Sequence, residues 1–316
     1  MTGWFASNVI LIQTTLTTTL LALSLQIPIR LGVFSFAGIG AFGIGGYTAA
    51  IAMVHLGWPT YPAILLGVVV AAVATYILGV IVQRLSGLYL GMATLAFTLI
   101  ISVLAVNGGS LTGGAAGLFG AVGTIDVPQI LLIVVGVVLV VSYFETGSRG
   151  RRADAVREDP SLAAAMGIHV SRYRLMAFLA SGAIGGLAGA ITTLRRTAIS
   201  PAEVNFGLIV LALTVIIVGG IGSWVGVLIG AVVFVWLPTW VAFVGQWEDL
   251  IYGTIVVLAA VFMPDGAHGV IKMLIRRLRV RISREPRTFE TAALPSIRAV
   301  RDRPDSRGLV RDGVDS

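Results

Sequence analysis

Nine stretches of this chain are each about long and apolar enough to cross a bilayer as a helix, and none carries Asp, Glu, Lys or Arg in its middle. They run roughly 8–27, 32–54, 61–82, 87–106, 129–144, 173–194, 206–222, 225–244 and 250–264, the fifth, seventh and ninth being short. A hydrocarbon core of about 30 Å takes about 20 helical residues to span. Inside it every backbone N–H and C=O must be satisfied within the protein, which an α-helix does by itself. The pattern therefore predicts an all-α polytopic membrane protein of about nine transmembrane helices (eight to ten). Composition leads to the same place: 12% of the 316 residues are charged and 57% are hydrophobic, where a soluble domain carries about 25% charged residues.

Charge is confined to the edges of this pattern. Residues 1–144 hold only Arg30, Arg84 and Asp126, while the last 52 residues hold 19 of the 37 charged groups, 12 of them basic. Short cytoplasmic loops are enriched in Lys and Arg. Alternate connections hold Arg30, then Arg84, then Arg149, Arg151, Arg152 and Arg157, and finally the basic tail; the opposite set holds only Arg195 and Arg196. The bias puts the amino terminus outside and the carboxyl terminus in the cytoplasm. The Arg195–Arg196 pair is the exception, and a re-entrant segment would lower the count to eight and move that loop. No basic stretch precedes the first span and no cleavage site leads into a soluble domain, so the first span is expected to be retained rather than removed as a signal.

Three parts are expected: a membrane domain over 1–265, a basic amphipathic segment over 266–287 and a disordered cytoplasmic tail over 288–316. In the second, Ile271, Leu274, Ile275, Leu278 and Ile282 recur at helical spacing among Lys272, Arg276, Arg277, Arg279 and Arg281. That suits a helix lying on anionic lipid, although a plain stop-transfer anchor has the same look. The tail is rich in Arg, Asp, Pro and Ser and poor in large apolar groups. With the basic residues beside spans, membrane lipid and not nucleic acid is their expected partner.

Glycine, at 39 residues, is the second constraint. Lipid is as apolar as leucine, so helices in a bilayer associate through small side chains that let backbones approach. Ala37, Ala41, Gly45 and Ala49 repeat every four residues; Gly87 pairs with Gly91, Gly185 with Gly189, and Gly222 with Gly226. These predict helix-packing stripes in a compact bundle. Gly38-Ile-Gly40-Ala-Phe-Gly43 matches a dinucleotide-binding pattern only on paper, since it lies inside a span and no acidic residue occurs before Asp126.

Several chemistries are excluded. There is no cysteine, and the three histidines (His55, His169 and His268) are far apart, so neither a metal site nor a cofactor is expected. Proton-driven carriers use ionisable groups within the membrane, and no span centre offers one. The single lysine, Lys272, does not follow a phosphate-binding loop, so any ATP-driven process needs another subunit to hydrolyse the nucleotide.

The longest cytoplasmic connection, 145–174, is the most informative. Asp159-Pro160 is a strong helix start, a capping carboxylate followed by proline at the first helical position, and Gly167 is a stop. A two-turn helix is expected, with Leu162, Ala163 and Met166 on one side. So short a helix is unstable alone in water; it makes sense held by span ends and docked into a partner, or as a simple linker turn.

This loop, ADAVREDPSLAAAMGI (153–168), resembles the coupling loop of permease subunits of ATP-binding-cassette importers, and more narrowly that of the LivM-like branched-chain amino acid permease family. FAGIGAFGIGGYTAA (36–50), RLSGLYLGMATLAFTLI (84–100), NGGSLTGGAAGLFG (107–120) and VIIVGGIGSWVGVLIGA (215–231) agree with the family in its order. The permease loop ordinarily has a glutamate before two alanines; here Leu162 precedes Ala163-Ala164, and the acids stand upstream at Glu158 and Asp159. The resemblance implies a type II importer permease bundle in a bacterial cytoplasmic membrane. It implies as partners two ATPase subunits, a second permease that is a different, LivH-like chain, and an extracytoplasmic substrate-binding protein. It assigns coupling to Arg157, Glu158, Asp159, Pro160, Leu162, Met166 and Gly167. Nothing catalytic is expected in the chain itself.

Polarity alone suggests a translocation path. Thr94, Thr98 and Ser102 recur every four residues with Tyr89 just before them, and the first span adds Gln13, Thr14, Thr17 and Thr18. Such hydroxyls also bond their own helix carbonyls, so that role stays open beside the path. A secondary carrier or a passive channel for a small neutral solute such as urea or an amide is the competing reading.

Overall fold

The computed structural model describes residues 2–241 and 253–254. The expected ninth span and the segments 266–287 and 288–316 lie outside the described residues. Within them the chain is helical almost throughout: α1 (Thr2–Arg30), α2 (Ala37–Val54), α3 (Thr60–Val82), α4 (Gly87–Asn107), α5 (Val127–Glu145), α6 (Gly147–Glu158), α7 (Pro160–Ala165), α8 (Val170–Arg196), α9 (Phe206–Gly219) and α10 (Trp224–Val241). Seven stretches are long and apolar enough to cross a membrane, and the shorter apolar helix at Trp224–Trp240 is an eighth candidate. This is an all-α polytopic membrane permease fold; a count of nine is not reached among the described residues.

The core forms where α2, α3 and α8 meet. Along α8, Gly182, Gly185, Gly186 and Gly189 are buried, and each lies where a Cβ would collide with a neighbouring helix. A methyl on Gly45 would run into the backbone of Gly186, one on Gly185 into the carbonyl of Gly38, and one on Gly189 into the carbonyl of Phe42. On the other side, a Cβ at Gly67 would come within 2.6 Å of the Gly45 carbonyl oxygen. Backbone lies on backbone, the close approach that small residues permit in lipid.

The stripes differ from the expectation at three places. Among the described residues nothing lies within 4 Å of a Cβ built at Gly87 (φ +57°) or Gly222. Gly87 opens α4 in a left-handed conformation, and Gly222 lies in the turn between α9 and α10. Gly91 packs against the ring of Phe34, 2.7 Å from a built Cβ, rather than against another helix. Gly226 does meet a helix, its partner being the backbone of Gly219.

Each end of the bundle is tied by its own contacts. At one end the α4–α5 and α8–α9 connections pair as a two-residue antiparallel ladder, β1 (Leu118–Phe119) on β2 (Ala198–Ile199), with Leu118 opposite Ile199. Gly120 N–H donates to the Thr197 carbonyl at 3.0 Å and Gly123 N–H to that of Leu194 at 3.2 Å. The glycine-rich stretch 108–120 is thus ordered against the end of α8. At the opposite end Arg30 pairs with Glu145, the Gln26 amide donates to the Ile221 carbonyl at 2.9 Å, and Gly32 sits against the backbone of Arg157.

Candidate functional site

The hydroxyl face of α4 is occupied by loop backbone. Thr94 Oγ1 accepts from Phe36 N–H at 3.0 Å, Thr98 Oγ1 donates to the Phe36 carbonyl at 3.3 Å, and Ser102 Oγ donates to the Pro201 carbonyl at 3.0 Å. Thr94 and Thr98 are fully buried. Thr94 gives the Phe36 N–H an acceptor at the non-helical start of α2, while Thr98 and Ser102 add second bonds to carbonyls that already accept from Ile39 N–H and Val204 N–H. Thr94 and Thr98 also bond carbonyls of their own helix, the alternative that the sequence left open beside a path. Tyr89, 76% exposed, stands apart at the start of the helix.

The α1 threonines are placed differently. A cavity of about 280 Å³ opens at the strand end, walled by Thr14, Thr17, Thr18 and Leu21 of α1 and Phe42 of α2. Thr192, Arg195 and Arg196 of α8 and Glu203, Asn205, Leu208 and Leu211 in and before α9 complete it. Gln13 does not border it; its carbonyl accepts the Thr17 hydroxyl at 3.1 Å. The arginines reach the cavity because α8 continues unbroken to Arg196 and stops at Thr197, whose φ of +59° ends the helix. Cations in a last helical turn also meet the negative end of the helix dipole. Arg196 pairs with Glu203 at 3.4 Å, both partly exposed. Arg195 Nε is buried and meets no hydrogen-bond acceptor among the described residues. Asn205 caps α9, its Oδ1 accepting from Leu208 N–H at 3.0 Å.

Sequence reasoning missed Arg195, Arg196 and Glu203 as a group. The signal was present, since this pair is the one departure from the charge asymmetry.

At the opposite end α6 and α7 form a projecting unit. The sequence led to a bare connection before Asp159; the structure has a three-turn helix there, α6, with Val156 buried as its anchor. Asp159 Oδ1 accepts from Ser161 N–H (2.9 Å), Leu162 N–H (3.0 Å) and Ser161 Oγ (2.6 Å). The Ser161 hydroxyl first, then these two amides, hold the Asp159 carboxyl below the usual carboxylate value. Its cap is in place above the ordinary aspartate range and is lost as pH falls through the lowered folded value, well below neutrality.

Gly167 (φ +81°) ends α7, with Gly167 N–H bonded to the Ala164 carbonyl and Ile168 N–H to that of Ala163, both 3.0 Å, a Schellman closure. The apolar residues divide in a way the spacing did not anticipate. Ala163 is 1% exposed and faces the protein, while Leu162 (58%) and Met166 (73%) face away. Arg157, Glu158, Asp159, Pro160 and Gly167 are likewise exposed. Among the described residues no three His, Cys, Asp or Glu side chains are grouped to hold a metal.

Comparison with known proteins is consistent with this architecture. A family described as "Branched-chain amino acid transport system / permease component" matches residues 8–260. Two curated relatives, from Salmonella typhimurium and Escherichia coli, are each named High-affinity branched-chain amino acid transport system permease protein LivM. They are 28% and 27% identical over 282 residues, covering 78% of this chain and 66% of each relative. The chain thus spans just under two thirds of the length of those relatives. No solved structure matches significantly.

Proposed function

Because this chain belongs to the permease-component family of branched-chain amino acid transport systems, we propose that it is one permease of an ATP-driven amino acid importer in a bacterial cytoplasmic membrane. The engine is separate: two ATPase subunits close on ATP, and the α6–α7 unit carries their movement into the bundle. A second, LivH-like permease completes the path and an extracytoplasmic binding protein delivers the solute. In this orientation the α6–α7 end and the carboxyl terminus face the cytoplasm, and the cavity opens outward.

The observation that carries this reading is the α6–α7 surface. A six-residue helix exposing Leu162 and Met166 has no stability of its own. Here it is capped at both ends, anchored by Ala163 and Val156, and set against the α1–α2 connection through Arg157. Such rigidity transmits displacement, and its exposed apolar pair suits a cleft on a partner. A passive channel or secondary carrier has no use for it, and the one acid at the cavity, Glu203, is ion-paired at the mouth instead of buried among the helices.

The test is uptake by proteoliposomes containing both permeases and both ATPases, with binding protein and leucine outside. Leucine should accumulate only with ATP inside the vesicles. Equal uptake by the permeases alone, without ATPases, would overturn the proposal in favour of a channel or carrier.

A further inference from the structure

The charges of the outer cavity do not close on themselves. Arg196 and Glu203 face each other at 3.4 Å, which leaves Arg195 bordering the same space with a buried Nε and no acceptor among the described residues. A buried cationic nitrogen without an acceptor is costly. Two guanidinium groups share this wall with one carboxylate, so one positive charge is left over. The same carboxylate offers a second pole of opposite sign, and Phe42, Leu208 and Leu211 give the wall an apolar part beside the threonines of α1 and α8.

We propose that this cavity is a binding site for an aliphatic α-amino acid in its zwitterionic form. The carboxylate lies on Arg195, the ammonium on Glu203, and the branched side chain lies against Phe42, Leu208 and Leu211. This rests on the amino acid reading given above and adds the place and the polarity of recognition. A simple anion would meet the repulsion of Glu203. A simple amine would meet that of two arginines, and an uncharged solute would use none of the three charges. A solute with both poles and a short apolar body uses the charges and the apolar part of the wall together. At about 280 Å³ the space lies at the small end of the roughly 300–1,000 Å³ usual for ligand pockets, which suits one small solute. Because Glu203 is shared with Arg196, the hold on the ammonium is weak, as a carrier that must release its cargo requires.

The experiment is saturation-transfer difference NMR on the assembled permease–ATPase complex without binding protein. Its probes are leucine, 4-methylpentanoate (leucine without the ammonium) and 3-methylbutylamine (leucine without the carboxylate). Wild type should favour leucine over both analogues by roughly tenfold or more, since a site built for a charged group rejects the analogue lacking it. Glu203→Gln should remove the preference over 4-methylpentanoate, and Arg195→Gln that over 3-methylbutylamine. Glu203→Asp and Arg195→Lys, which keep the charges, should retain both preferences at reduced affinity. A merely structural ion pair would leave the preferences unmoved. Unchanged preferences in both glutamine variants, or no leucine signal in wild type while leucine uptake proceeds, would overturn the site and leave the importer reading intact. Leucine bound with these preferences in a complex that takes up no amino acid would sustain the site and overturn the importer reading.

Discussion

Substituting aspartate at both Leu162 and Met166 is expected to stop ATP-driven uptake while leaving a folded permease in the membrane. Both side chains project from α7 and are largely exposed, 58% and 73%, so polar replacements disturb little within this chain. Buried in an ATPase cleft, two such side chains contribute about 1.5–3 kcal/mol each. Aspartate removes that contribution and adds the cost of desolvating a carboxylate against an apolar surface. The ATPase subunits should no longer copurify, and ATP hydrolysis should lose its stimulation by loaded binding protein. Ala163→Asp is the instructive contrast. Ala163 faces inward at 1% exposure, so the charge lands in the permease itself and should reduce the amount of folded protein. Normal stimulated hydrolysis in the double variant would remove α7 from the coupling route.

The second large effect belongs to the glycine seam. Gly189→Val should destabilise the isolated permease by about 3 kcal/mol or more, at or beyond the upper part of the 1–3 kcal/mol range for overpacked cores. The added atoms would meet the Phe42 backbone, which has no rotamer to turn away, so α2 and α8 must separate. Thermal aggregation in detergent, followed by size exclusion, should show an early loss of the monodisperse peak. Gly136→Leu on α5 is the matched control: among the described residues no heavy atom lies within 4 Å of its Cβ position, and surface changes of that kind stay within roughly 0.5 kcal/mol. Equal melting of the two variants would mean that α2 and α8 are not in backbone contact.

The helices were legible because one physical constraint, the absence of water in lipid, forces long apolar runs, and α1 to α5 and α8 fall close to where those runs lie. The small-residue stripes were legible only in part. Gly45, Gly185 and Gly189 sit at backbone crossings, but spacing by four cannot distinguish a glycine that packs from one that turns the chain. Gly87, with its positive φ, and Gly222 both lie where the chain turns. The threonine face of α4 shows a similar limit: Thr94 and Thr98 have a helical period, but both also bond Phe36, 58 and 62 residues away in sequence, and no local pattern reports that. The ends of α7 were readable from Asp159, Pro160 and Gly167 because capping is local chemistry. Helix α6 was not, since its residues are polar nearly all round and its support comes from the α1–α2 connection. The cavity was hidden for the same reason, because Arg195 and Glu203 meet Thr17 and Phe42 only through the tertiary fold.

The absence of cysteine from the chain makes one measurement decisive. In a Met166→Cys variant assembled with its partner permease, a membrane-impermeant maleimide should label inside-out vesicles and not right-side-out ones, and bound ATPase subunits should block the labelling. Labelling of right-side-out vesicles, or equal labelling with and without the ATPases, would contradict the assignment of α7 as the element through which the nucleotide-hydrolysing subunits drive this permease.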